Sequence, residues 1–160
     1  MVDALDEVET ILDNAFFLLA ASSRAQVVCL HRTEEPFTSQ GEWEGEMGRV
    51  IRSLTHLARP GMRFVYDMRA VRGRNDKAFE ATTVDFRHRV LTLFTPTAVV
   101  IRTAAGHMQL ARYIREARSS ARIFYDFRVA AVKLGVPLAF VSAIEVAMRV
   151  EPYLVQAPAR

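Results

Sequence analysis

Short β-type apolar runs alternate along this chain with stretches whose apolar residues recur at helical spacing, and that alternation leaves few folds open. AFFLLA (residues 15–20) and AQVVCLHRT (from Ala25) flank a polar turn at Ser22-Ser23-Arg24. Two β-rich runs joined this closely predict an antiparallel hairpin. A helix is expected after Pro36, with Ser39 as its N-cap and Glu42, Glu44 and Glu46 near the positive end of its dipole. Trp43, Met47, Val50, Ile51, Leu54 and Leu57 share one face of it, and Arg59-Pro60-Gly61 stops it. MRFVYDM, Met62 to Met68, is a strand, and a charged loop runs from Arg69 to Asp76.

A second helix starts near Asn75 or Asp76, with Phe79, Thr83, Phe86, Val90 and Leu93 as its stripe, and ends at Pro96. Ala98 to Ile101 forms an apolar run of the kind that a strand covered on both faces requires. A third helix covers about 104–118, and a short strand covers Arg122 to Tyr125. Asp126 caps a further helix, which Gly135 ends. The order β-β-α-β-α-β-α-β-α implies right-handed crossovers and a mostly parallel sheet opened by one antiparallel hairpin. Residues 1–14 are expected as an acidic arm or short helix, 15–135 as the α/β domain, and 136–160 as a C-terminal extension. In that extension Ile144, Val146, Met148 and Val150 alternate with Glu145, Ala147 and Arg149, as in a strand. Phe140, Val141, Ile144, Ala147 and Met148 also suit a helix opened by Pro137, which the length and the alanine, leucine and methionine content favour.

Composition narrows the functional classes. With 51% apolar and 24% charged residues the chain can bury a real core. No apolar stretch is long enough to span a membrane, and the acidic start MVDALDEVETILD lacks the form of a secretory signal. A single cysteine, Cys29, excludes an internal disulfide and a thiolate zinc cluster, so a cytoplasmic setting is expected. Residues 1–58 carry ten acids against four arginines, net −6, and residues 59–160 carry seventeen bases against eight acids, net +9. That asymmetry can steer a charged partner, although mixed charge also simply solvates a surface. The basic residues are not interleaved with exposed aromatics in any one segment, so nucleic acid is not an expected partner. No phosphate-binding glycine loop, nucleophile elbow or zinc-binding histidine pair is present, and no cofactor, metal or catalytic pair is expected. Cys29, inside the strand VVCLH, reads as a buried thiol rather than a nucleophile.

Three segments resemble the STAS superfamily, and more closely its SpoIIAA-like, anti-sigma-factor-antagonist-like branch. FVYDM ends a strand in Asp67, AVVIRTAAG looks like the family's strand and turn before its third helix, and ARIFYDFRVAAVKLG looks like its closing strand and helix. The resemblance covers about residues 15–135. It implies a non-catalytic regulatory domain of bacterial type that works by binding protein through the loop 69–76 and helix 77–93. The family's phosphorylatable serine at the start of that helix has no counterpart, since residues 69–77 read RAVRGRNDK. The alternative within the same fold is a small-molecule, nucleotide or lipid-binding module.

Two surfaces are candidates for function. Asp67, Arg69, Arg72, Arg74 and Arg102 cluster at the carboxyl ends of the parallel strands, where open α/β sheets place ligands and arginines can grip an anion or an acidic protein partner. The alternative is that Arg69 and Arg72 pair with Asp67 or Asp76 and solvate a loop. The tail offers Phe140, Ile144, Met148 and Tyr153 as a contact in a homodimer, because its apolar surface needs a cover, either the domain's own sheet or a second subunit.

Overall fold

The computed structural model describes residues 7–72 and 77–149. Six strands form one sheet in sequence order: β1 (Glu9–Asp13), β2 (Phe17–Ser22), β3 (Val27–Arg32), β4 (Arg63–Asp67), β5 (Thr97–Val100) and β6 (Arg122–Phe124). The first three pair antiparallel, and β3 through β6 are parallel. The helices are α1 (Gln40–Leu57), α2 (Lys77–Thr92), α3 (Ala104–Glu116), α4 (Phe127–Lys133) and α5 (Leu138–Ala147). None of the described helices is long and apolar enough to cross a membrane.

Three right-handed crossovers explain the layering. Each of α1, α2 and α3 carries the chain one strand further in the same direction, so all three fall on one face of the sheet. There Phe17, Leu19, Val28, Leu30, Phe64, Tyr66 and Val99 meet Trp43, Met47, Val50 and Leu54 of α1, Phe86 and Val90 of α2 and Leu110 of α3. Strand alternation sends Ala20, Val27, Cys29, Val65, Ala98 and Val100 to the other face. That face needs its own cover, and α4 and α5 supply it with Phe127, Ala130, Ala131, Leu134, Val141 and Ile144, joined by Met148.

Local chemistry sets the boundaries. Ser39, Thr103 and Asp126 cap α1, α3 and α4, their side chains accepting from the backbone N–H of Glu42, Gly106 and Val129. Gly135 takes φ +85° just past α4, where a side chain would strain the backbone. Residues 9–13, expected in an arm or short helix, instead form the edge strand β1. Asn14 explains the change, because its Oδ1 accepts from the N–H groups of Phe16 and Phe17, both at 2.9 Å, and turns the chain back along β2.

The tail corrects the interface expectation. The cover of the second face continues past Gly135, since α5 and Met148 add Val141, Ile144 and Met148 to what α4 supplies. Ile144 is 1% and Met148 0% exposed, both spent inside the chain, and Phe140 is half-buried against the same core. Tyr153 lies outside the described residues, as does Arg74.

Candidate functional site

The arginines expected to converge at the strand ends separate. Asp67, the last residue of β4, is fully buried, and Arg69 turns inward onto it. Arg69 Nε donates to Oδ1 at 2.9 Å and Nη2 to Oδ2 at 3.1 Å, while its backbone N–H donates to Oδ1 at 3.1 Å. His31, the neighbour of Asp67 across β3 and β4, places Nδ1 3.0 Å from Oδ2. Burial pushes the Asp67 carboxyl up, but the hydrogen bonds from His31 and Arg69 and the charge of both outweigh it and hold the group below its ordinary value. An ionised Asp67 can only accept, so His31 Nδ1 carries the shared proton. Arg69 is thus part of a buried cluster and presents no cation to a ligand. Arg72 and Arg102 are exposed.

The space beyond the strand ends is nevertheless open. A cavity of about 640 Å³ lies beyond the carboxyl ends of β3 and β4, between the segment 33–37, residues 68–72, α2 and α3. Its apolar wall comes from Phe17, Phe37, Met47, Tyr66, Phe79 and Phe86. The volume falls inside the range of about 300–1,000 Å³ typical of small-molecule clefts. Of the arginines predicted at the strand ends and described here, Arg72 lines it, while Arg69 and Arg102 do not.

Two other arginines line it, and sequence reasoning missed both. Arg32 ends β3. Its Nη1 donates to the carbonyls of Phe16 (3.2 Å) and Thr33 (2.8 Å), and its Nη2 to that of Glu35 (2.6 Å). The guanidinium carbon sits 4.4 Å from the Phe37 ring centre, with Phe17 and Phe16 at 5.4 and 5.7 Å. Burial among these rings lowers its pKa, against the pull of Tyr66 and Glu35. Arg87 stands on α2 with its guanidinium carbon 4.0 Å over the Tyr113 ring of α3. Its Nη1 donates to the Glu80 carbonyl at 3.1 Å and to the Thr83 hydroxyl. Among the described residues, no carboxylate lies within 4.0 Å of either guanidinium.

The carboxylate that could have served Arg87 is engaged elsewhere. Glu80 Oε1 accepts from Tyr113 (3.1 Å), Arg112 (3.1 Å) and Gln109 (3.3 Å), and these contacts, the Tyr113 hydroxyl first, lower its pKa. This network joins α2 to α3 and fixes the Tyr113 ring on which Arg87 stacks.

Cys29 is buried on the opposite face of the sheet, and burial together with the Asp67 charge pushes its thiol far above the ordinary range. It carries no nucleophile chemistry in the folded state. The fold and its cavity define an α/β domain with an open space at the carboxyl ends of two of its parallel strands. Comparison with protein-family models, with curated proteins and with solved structures gives no match to this chain.

Proposed function

We propose that this protein is a small-molecule-binding module built on a STAS-like α/β domain. The observation that carries the reading is the cavity of about 640 Å³ beyond β3 and β4, walled by six apolar side chains from the sheet, the 33–37 segment, α1 and α2. A domain that works only through its surface has no use for such a space, and leaving apolar walls unfilled forfeits packing that a closed core would gain. The aspartate-ended strand and the closing strand–helix unit that prompted the STAS comparison support the fold half of the reading. A regulatory role then consists in reporting ligand occupancy to a protein partner through α2 and the segment that precedes it.

The test uses a neutral environment-sensitive dye, 1-N-phenylnaphthylamine, titrated into the purified protein. Saturable, one-to-one fluorescence enhancement is expected. Met68→Trp, which fills the cavity from a half-buried position in its wall, should abolish it while the protein still melts cooperatively. Enhancement that is absent in the wild type, or unchanged in Met68→Trp, overturns the reading.

A further inference from the structure

Arg32 and Arg87 share one cavity and one anomaly. Both are half-buried cations, and neither meets a carboxylate among the described residues. Taking a guanidinium partly out of water is costly unless an opposite charge compensates. Arg69, Arg112 and Arg128 are compensated by Asp67, Glu80 and Glu145, whereas Arg63, also half-buried, meets only the Ala25 carbonyl and does not line the cavity. Arg32 and Arg87 are the two half-buried arginines without a carboxylate, among the described residues, that line the cavity.

Their free valences differ. Arg32 spends both terminal nitrogens on backbone carbonyls and is held among three phenylalanine rings, so it acts as a fixed charge. Arg87 donates from Nη1 alone. Its Nε and Nη2, the edge that grips Asp67 in Arg69, meet no acceptor among the described residues. Stacking on Tyr113 holds the guanidinium plane, so that edge is presented in a set orientation. A side-on guanidinium edge matches two oxygens of a carboxylate or phosphate. Arg72 adds a third cation at the exposed side of the cavity, and the acidic side chains of Glu34 and Glu35 are exposed at its rim.

We propose that the cavity takes an amphiphile with an apolar body and one acidic head group, carboxylate or phosphate, with the head on the Nε–Nη2 edge of Arg87 and the body against Phe17, Phe37, Met47, Tyr66 and Phe86. This deepens the small-molecule reading and rests on it. The ligand supplies the counter-charge that Arg87 lacks among the described residues, and Arg32, within the pull of Glu35, contributes its field without giving up its backbone contacts.

Displacement of bound 1-N-phenylnaphthylamine by octanoate, octyl phosphate and 1-octanol separates the two layers of the argument. The three share one chain length and differ only in the head. At least one of the two acids should bind about tenfold to a hundredfold more tightly than the alcohol, the range for a charge-assisted hydrogen bond to a partly buried partner. Which acid leads distinguishes a carboxylate from a phosphate ligand. Arg87→Met should remove most of the preference while leaving octanol binding unchanged, and Arg87→Lys should restore part of it. Arg87 is half-buried over the Tyr113 ring, so the variant is checked by its melting curve. If Arg87→Met fails to fold, the preference of the wild type should still shrink as sodium chloride is raised, which octanol binding should not follow. Equal affinity for acid and alcohol, or a preference indifferent to both Arg87→Met and salt, overturns the proposal and leaves the cavity reading standing. Failure of every probe to bind overturns the cavity reading itself.

Discussion

Replacing Asp67 by asparagine keeps the shape of the side chain and removes its charge, and the buried cluster sets what that should cost. Asp67 is fully buried and Arg69 is 5% exposed, so neither gains water when the other is neutralised. The guanidinium of Arg69 then keeps one amide oxygen where it had a bidentate carboxylate. Removing one partner of a buried ion pair costs about 3–5 kcal/mol, because the remaining charge is left uncompensated. For a domain of this size each kcal/mol lowers Tm by about 2–4 °C, so Asp67→Asn should melt roughly 6–20 °C below the wild type. Circular dichroism through thermal and urea unfolding measures this, and an unchanged urea slope assigns the loss to the native state. The acid dependence follows from the lowered carboxyl pKa. A group whose folded pKa lies below its unfolded one stabilises above the unfolded value, about 3.9 for aspartate, and loses that contribution as pH falls through the folded value. The gap between wild type and variant should be flat from neutral pH to about 4 and narrow below it. A variant within about 0.5 kcal/mol of wild type, the range of ordinary surface changes, or a gap that widens on acidification, would refute the account of Asp67 as a compensated buried anion.

Val65 is fully buried on the face covered by α4 and α5, so Val65→Asp should prevent folding, and a soluble, cooperatively melting variant would contradict its placement. Removing residues 136–160 uncovers part of that face. Val141, Ile144 and Met148 together contribute roughly 5–9 kcal/mol of burial, so the shortened chain should bind a hydrophobic dye and show no cooperative melt, whereas a native-like melt would show that α5 is dispensable. Cys29 should resist a thiol reagent in the native protein and react at the rate of global unfolding, and rapid native-state labelling would contradict its burial.

What was legible in the sequence came from signals that act over a few residues. Ser39 and Asp126 cap because a side-chain oxygen can reach a backbone N–H three residues on, and Gly135 ends a helix because the left-handed region suits it. Helical spacing from Trp43 to Leu54 picked out the buried face of α1 for the same reason. The edge strand β1 was hidden because its acids read as a helix start, while the deciding contact, Asn14 folding back on Phe16 and Phe17, is a turn that acidic composition obscures. The tail was hidden differently. Apolar surplus in residues 138–148 is the same in sequence whether it covers the chain's own sheet or another subunit, and only the count of helices per sheet face decides. The arginines show the limit most sharply. For Arg69 the sequence left two readings open, a ligand contact or a pair with Asp67, and the carboxylate two residues earlier drew it inside. Arg32 and Arg87 carry meaning because both line the cavity without an ion pair among the described residues, which no spacing along the chain records.

The two faces of the sheet are finished at different moments of synthesis. α1, α2 and α3 are each made between the strands they connect, so the first face can be sealed as the sheet grows. The second face has no cover until α4 and α5 have been made, after all six strands. The closure reaches back to the beginning as well: Arg149, just past α5, pairs with Asp13 of β1 at 3.0 Å across 136 residues. A nascent chain carrying the whole sheet but neither α4 nor α5 exposes Ala20, Val27, Cys29, Val65 and Val100 as one apolar plane. Such a plane is where chaperones bind and where unfinished chains associate. The emergence of residues 138–148 from the ribosome is therefore the point at which the second face gains its full cover.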